Sequence, residues 1–180
     1  MSARLLAVAL LLCACPPTYL DEGWHVTDDG VELRPGVLPA TIDDDETVED
    51  ETLIPEAALW WADQLGATVF LMASPGDITV SVGLVPATTD GEPLGVAVAE
   101  YDEDGTVLGC EITLSSDIAY DRPTLLQVAR HELGHCLGLA DDPGPPATVD
   151  LRSVMASPLD PLGTLTDHDR ALLAPYLEGL

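Results

Sequence analysis

Two histidines and a glutamate have the spacing that can hold a metal ion and use it. His131, Glu132 and His135 form an HExxH pattern, and residues four apart on a helix lie on one face, about 6 Å from each other along the axis. Both imidazoles can therefore reach one divalent cation. Glu132, beside the first histidine, can contact a water on that cation without being a ligand, which is the place of a general base.

A glycine and an aspartate extend the pattern to HExxHxxGxxD. Gly138 allows the chain to leave the helix and turn back, which brings Asp141 toward the ion as a third ligand. Three protein ligands leave one tetrahedral position open for water, as in catalytic zinc sites. Asp142 or His168 is the reserve third ligand. A chance HExxH on an amphipathic helix is the alternative, and the added glycine and aspartate argue against it.

This motif, followed by Ser153-Val154-Met155, resembles the metzincin clan of zinc endopeptidases, in which a methionine turn lies beneath the zinc. An aspartate as third ligand is similar to the snapalysin type of small bacterial secreted protease, and residues 165–173 resemble the closing helix of matrixin-like enzymes. The resemblance covers residues 53–178 and is specific over 131–155. It implies zinc as the cofactor and Met155 as the Met-turn residue.

The resemblance also implies a fold class and a function. The fold is an α+β, metzincin-like catalytic domain, with a twisted mixed sheet, a helix that carries the zinc ligands and a C-terminal helix. An extended peptide would lie along an edge strand, for which residues 106–114 are the candidates. The expected function is zinc-dependent hydrolysis of peptide bonds, with a metal-activated water and Glu132 as general base. The alternative is a noncatalytic surface lipoprotein that binds a metal at a metzincin-like site.

Local patterns predict the elements that must position these residues. In chain order they are a helix over 55–65, strands over 67–72 and 78–84, a hairpin within 94–114, the metal-binding helix after Asp121 and a last helix after Thr166. Gly66 is typical of a helix end, and Asp104-Gly105 is typical of a hairpin turn. Thr166 and Asp169 have the spacing of a capping box.

The first 15 residues resemble an export signal. An apolar run from Leu5 to Leu12 follows Arg4 and is too short to be a stable bilayer anchor. The sequence Leu12-Cys13-Ala14-Cys15 resembles a bacterial lipoprotein box, in which Cys15 would be lipidated, and a plain signal peptide is the alternative. We therefore expect an exported protein, either a cell-envelope lipoprotein or a secreted one.

Two further regions follow the signal. Residues 16–52 are rich in proline, glycine and acidic residues and show little periodicity, so we expect an acidic, loosely structured N-terminal arm. His25, within this arm, has no motif around it and is expected at the surface. Residues 53–180 are the expected zinc metalloprotease domain, which we expect to be a monomer.

The two remaining cysteines, Cys110 and Cys136, can form a disulfide in an exported protein. Cys110 belongs to an alternating segment that predicts a buried strand position, and Cys136 directly follows the second histidine of the motif. A disulfide would fasten the metal-binding helix to the sheet. Two reduced, buried thiols are the alternative.

The charge of the chain restricts its partners. It has 32 acidic and 6 basic residues, with a formal net charge of −26. Such a polyanion does not bind nucleic acid or an anionic membrane by charge, so membrane contact is expected only through a lipid anchor. The expected partner is a peptide or protein substrate. The acidic runs 43–46 and 102–105 could hold Ca²⁺, and solvated acidic loops are the alternative.

Overall fold

The computed structural model of the chain describes residues 7–12, 24–85, 94–116, 121–141, 153–155 and 163–180, the first of these ranges by its backbone alone. The strands in these ranges are β1 (Ala7–Leu12), β2 (Ala40–Asp44), β3 (Phe70–Met72), β4 (Ile78–Gly83), β5 (Gly95–Tyr101) and β6 (Val107–Ser115). The helices are α1 (Leu53–Leu65), α2 (Arg122–Cys136) and α3 (Asp167–Leu173), with a 3₁₀ turn at Ala174–Tyr176. The described chain is therefore a mixed α+β fold, as the sequence predicts.

The strands form a single sheet in the order β1-β5-β6-β4-β2-β3. Strand β6 pairs in parallel with β4, β4 with β2, and β2 with β3. Strand β5 runs antiparallel to β6, and its other side pairs antiparallel with β1. From β2 to β6 the sheet is mostly parallel with one antiparallel strand, which agrees with the expected mixed sheet.

Strands β5 and β6 form the predicted hairpin, but their place in the sheet differs from the expectation. The Asp102 carboxylate closes the turn by accepting hydrogen bonds from the N–H groups of Asp104 at 3.0 Å and Thr106 at 2.9 Å. The expectation that residues 106–114 form an edge strand is wrong, because β6 lies between β5 and β4. The alternation of apolar and polar residues predicts that a segment is a strand. It does not predict which strands lie beside that strand in the sheet, because this depends on pairing between segments far apart in the chain.

The described part of residues 16–52 is folded onto the domain, which departs from the expected loose arm. Strand β2 lies inside the sheet between β3 and β4. Ile42 in this strand and Leu33 before it are completely buried. Local periodicity does not predict β2 because Ile42 is the only one of its five residues that is buried.

Helices α1 and α2 pack against each other, and α2 also packs across β5 and β6. The Asp121 side chain caps α2 as predicted, since it accepts a hydrogen bond from the N–H of Thr124 at 3.0 Å. Trp61 of α1 is completely buried and donates its indole N–H to the carbonyl of Arg130 on α2 at 3.0 Å. These contacts fix α2, which carries the HExxH residues, against the rest of the fold.

The C-terminal helix α3 begins as the sequence predicts. Thr166 accepts a hydrogen bond from the N–H of Asp169, and the Asp169 carboxylate accepts one from the N–H of Thr166 at 3.0 Å, which completes the capping box. Among the described residues, no helix is both long enough and apolar enough to cross a membrane.

Candidate metal centre

The two histidines of the motif face each other from adjacent turns of α2. His131 is completely buried and His135 is 1% exposed. Their Nε2 atoms lie 3.1 Å apart, and their rings are perpendicular, with centroids 4.6 Å apart. The four-residue spacing thus brings both rings to one point, as helix geometry predicts.

Backbone carbonyls outside α2 orient both rings. His131 Nδ1 donates to the carbonyl of Val154, and His135 Nδ1 donates to the carbonyl of Leu139, each at 2.9 Å. A carbonyl oxygen can only accept, so the proton of each neutral ring is on Nδ1 and the lone pair is on Nε2. Histidine ligands of metals are commonly held in this way.

The third side chain reaches the histidines by a turn after the helix. Gly138 adopts a positive φ of 84°, which a residue with a side chain rarely adopts. The chain then returns, and Asp141 Oδ1 lies 3.2 Å from His131 Nε2 and 3.6 Å from His135 Nε2. The structure therefore brings all three predicted ligands together.

Glu132 lies beside this cluster and is 1% exposed. Neither of its carboxylate oxygens makes a hydrogen bond of standard geometry with the described residues. Burial raises the pKa of Glu132 to about 7; His131 and the amide of Ala97 oppose this increase, and Asp141 adds to it. A buried carboxyl group that can gain or lose a proton near neutral pH suits acid–base chemistry.

The charges of the cluster also suit a cation. Burial lowers the pKa of His135 to about 4, against the opposing effect of Asp141, so this imidazole is neutral at neutral pH. Burial raises the pKa of Asp141, but His135 and His131 outweigh it and hold the pKa below its ordinary value. Two histidine imidazoles and one carboxylate are a common ligand set for zinc.

A divalent cation between them would account for the close approach of these atoms. Nε2 of His131, Nε2 of His135 and Oδ1 of Asp141 all lie within 4.8 Å of one another. With both ring protons on Nδ1, all three atoms present lone pairs to the same space, and Asp141 Oδ1 is buried without a hydrogen bond of standard geometry. Lone pairs that converge in a buried space repel each other unless a cation or a proton lies between them. The residues therefore fit a zinc ion.

Met155, the predicted Met-turn residue, packs against the helix that carries the two histidines. Met155 is completely buried. Its side chain packs against Gly134, where a Cβ atom would overlap the methionine sulfur. Gly134 lies between the two histidines on α2, so Met155 packs against the helix at the level of His131 and His135.

A disulfide anchors the end of α2. Cys136, directly after His135, is bonded to Cys110 of β6. Both cysteines are buried, at 4% and 3% exposure. The pairing that the sequence left open thus joins the metal-binding helix to the sheet.

Other predicted site residues lie elsewhere or outside the described ranges. His168 is exposed at the start of α3, and within the described residues the only cluster that could hold a metal is that of His131, His135 and Asp141. Asp142 and Cys15 are outside the described residues. Side chains of both acidic runs are engaged locally: the Asp43 carboxylate accepts a hydrogen bond from Ser74 at 2.9 Å, and Asp102 closes its turn.

One residue near the centre was not predicted from the sequence. His25 is half-buried, and its backbone N–H donates a hydrogen bond to the carbonyl of Gly138, in the turn after α2, at 2.8 Å. It comes from a distant part of the chain, and no motif or spacing relates it to the HExxH segment. A sequence pattern could not have placed it there.

The chain matches no protein-family model, and a search of curated proteins finds no relative. The interpretation of the site therefore depends on its own geometry.

Proposed function

We propose that the chain is an exported zinc-dependent endopeptidase of metzincin-like type. The observation that carries this proposal is the convergence of His131, His135 and Asp141 beside the buried carboxylate of Glu132. A purely structural zinc site uses four protein ligands and needs no buried base. Three ligands with an adjacent carboxylate therefore favour hydrolysis over storage of the metal.

Glu132 performs the proton transfers in this proposal. Zinc, when bound, supplies a Lewis acid that polarises the scissile carbonyl and lowers the pKa of a water molecule to about 7. Glu132 accepts a proton as the water oxygen attacks the carbonyl carbon, and it gives that proton to the nitrogen as the C–N bond breaks. In the metal-free chain burial raises the pKa of Glu132 to about 7, which suits a group that both accepts and donates a proton.

Strand β5 is the part of the sheet along which we propose that the substrate binds. A Cβ atom on Gly95, its first residue, would lie 2.9 Å from Glu132 Oε1. A peptide extended along β5 would pass the general base and would be held by backbone hydrogen bonds. In the chain that still carries residues 7–12, β1 pairs with this edge.

The disulfide supports the proposed export. Disulfides persist in oxidising compartments and are rare where thiols are kept reduced. The bond between Cys110 and Cys136 is buried next to the metal centre. Export by a signal peptide, with lipidation of Cys15, stays part of the proposal.

The test is a pair of glutamate variants of the protein purified after export. Glu132→Gln should keep one zinc per chain and lose activity against a peptide library by about 10²- to 10⁴-fold, because it removes the base but no ligand. Glu111→Gln, at an exposed position of β6, is the matched control and should retain activity. A chelator should abolish cleavage by the parent protein.

Two outcomes would count against the proposal. Unchanged turnover by Glu132→Gln would refute the role of this carboxylate. A parent protein that binds zinc but cleaves no peptide in the library would favour the noncatalytic alternative.

A further inference from the structure

Residues 153–155, which we call the 153–155 segment, supply the carbonyl group that orients His131. The carbonyl of Val154 accepts the hydrogen bond from His131 Nδ1 at 2.9 Å. All three residues of the segment are completely buried. The direction of the His131 ring therefore depends on the shape of a segment that lies 23 residues further along the chain.

The Ser153 side chain stabilises the shape of this segment. Its hydroxyl oxygen accepts a hydrogen bond from the N–H of Met155, two residues later, at 3.0 Å. A serine hydroxyl that bonds the backbone two residues on forms a compact local turn. This turn encloses Val154, the residue whose carbonyl contacts His131.

The hydrogen bonds at Ser153 and at His131 are made by the same peptide group. The carbonyl of Val154 and the N–H of Met155 belong to one planar trans peptide, in which the C=O and the N–H point in opposite directions. The N–H points to the Ser153 hydroxyl and the C=O points to His131 Nδ1. A rotation of this peptide plane away from Ser153 would therefore also turn the carbonyl away from His131.

Other contacts of the segment act on neighbouring groups. The N–H of Val154 donates to the carbonyl of Thr164 at 2.8 Å, and Ser153 forms a parallel bridge with Thr164. The Met155 side chain packs against Gly134 of α2, where a Cβ atom would overlap its sulfur. These contacts fix the preceding peptide group and the methionine side chain, whereas the Ser153 hydroxyl acts on the peptide group that orients His131.

We propose that Ser153 is a positioning residue for His131, because its hydroxyl fixes the peptide group that orients the imidazole. This inference rests on His131 as a ligand in the proposed metal site, and it adds a residue outside the ligand set. Groups that orient a metal ligand typically change metal affinity about 10- to 100-fold when they are mutated. Loss of the Ser153 hydroxyl should therefore weaken metal binding without removing a ligand.

His135 provides a comparison within the same molecule. Its Nδ1 donates to the carbonyl of Leu139, which lies outside the 153–155 segment. A change at Ser153 that acts through the Val154 carbonyl should affect the ring of His131 and leave the ring of His135 as it is. A general loosening of the fold would affect both rings.

The experiment follows the Nδ1 protons of both histidines by NMR in the full chain with labelled histidine, with zinc and after treatment with a chelator. In Ser153→Ala the His131 proton should exchange with water about tenfold faster than in the parent, as the loss of one hydrogen bond of ordinary strength implies. The His135 proton should exchange as in the parent. Zinc affinity, measured by competition with a chromogenic chelator, should fall about tenfold.

Thr27→Val is the matched control, because it removes a buried hydroxyl of the same kind from another turn. The Thr27 hydroxyl accepts a hydrogen bond from the N–H of Val31 at 3.1 Å, and Thr27 is 7% exposed. Valine has nearly the shape of threonine. This variant should leave the exchange of the His131 proton as it is in the parent.

The outcomes separate this inference from the proposed function. Equal exchange of the His131 proton in Ser153→Ala and the parent would overturn the role of Ser153, and so would a parallel increase at both histidines. Unchanged zinc affinity of Ser153→Ala, in a parent that binds zinc, would overturn it as well. A selective effect on His131 would support that role even if the parent cleaves no peptide, in which case only the proposed function fails.

Discussion

The carbonyl oxygen of Leu139 accepts a hydrogen bond from Nδ1 of His135 at 2.9 Å. Leu139 belongs to the same turn that returns the chain to Asp141, and its own N–H donates to the carbonyl of Gly134 at 3.1 Å. One short turn thus orients the second histidine and also delivers the carboxylate. A change in this turn should affect two of the three proposed ligands together.

The first prediction concerns the third ligand. Asp141→Ala removes a proposed ligand atom. Mutation of groups that only orient a ligand typically weakens metal binding roughly 10- to 100-fold, so this variant should lose more zinc affinity than that. His131→Ala and His135→Ala should lose zinc altogether. Zinc content after dialysis against a weak chelator measures the difference. Full zinc occupancy in Asp141→Ala would exclude this carboxylate as a ligand.

A pair of glycine variants tests why Gly138 is a glycine. Gly66 and Gly138 both have positive φ, 68° and 84°, but a Cβ atom on Gly66 would meet nothing within 4 Å. Asparagine tolerates this conformation, so Gly66→Asn should cost less than about 1 kcal/mol of unfolding free energy. Gly138→Asn should cost roughly 1–3 kcal/mol because its Cβ atom would lie only 3.0 Å from backbone atoms of Leu33 and Arg34. Urea unfolding measures both, and equal costs would contradict the argument from close approach.

The pH dependence of stability tests the burial of Glu132 in the zinc-free chain. Burial raises its pKa from 4.5 to about 7, so the folded state holds this proton more tightly than the unfolded state does. The stability that this group contributes is complete below pH 4.5 and is lost as the pH rises to 7. The Glu132→Gln variant has no carboxyl group to ionise, so it does not lose this contribution. Its free energy of unfolding should therefore increase relative to that of the parent as the pH rises, by at most about 1.4 kcal/mol per pH unit.

The variant must be compared with the parent at each pH, because His135 has the opposite effect. Burial lowers the pKa of His135 to about 4, so stability from this group is lost as the pH falls from 6.5 toward 4. Both proteins contain His135, and the difference between them isolates Glu132. Urea unfolding with a chelator present gives the two free energies. A difference that does not change with pH would show that Glu132 is not buried as described.

The disulfide provides another prediction. The bond between Cys110 and Cys136 closes a loop with a sequence separation of 26. Replacing both cysteines by alanine should lower the free energy of unfolding by about 2–4 kcal/mol. A reductant should lower the melting temperature of the parent but leave that of the double variant unchanged. If the reductant has no effect on the parent, the two thiols are not bonded in solution.

Much of the candidate metal centre could be predicted from the sequence because its residues lie close together in the chain. The HExxH spacing, the glycine turn and the cap at Asp121 all lie within a short stretch of one helix and its flanks. Helix α3 was predictable for the same reason, since Thr166 and Asp169 form their capping box within four residues. In each case a residue's partner is a near neighbour in the chain.

The features that the sequence did not predict depend on contacts between distant segments. Strand β2 has one buried residue, Ile42, so it lacks an alternating pattern. The position of β6 inside the sheet depends on which strands pair with it. The alternation of apolar and polar residues within β6 does not predict those partners. The segment from His25 to Arg34 is held in place by backbone bonds, from His25 to Gly138 in the turn after α2 and from Arg34 to Gly105 in the β5–β6 turn. Any amino acid except proline could donate these bonds, so no residue type predicts them.

The pairing of β1 with β5 bears on when the proposed activity could begin. Six residues of the proposed leader, Ala7–Leu12, are aligned with Val96–Tyr101, close to the carboxylate that would accept the proton. Cleavage of the leader during export would remove β1 from its place beside β5. The backbone N–H and C=O groups along this side of β5 would then face solvent and could pair with another extended chain. Maturation and access of substrate would then be a single event, and the precursor would be latent until it has left the cytoplasm.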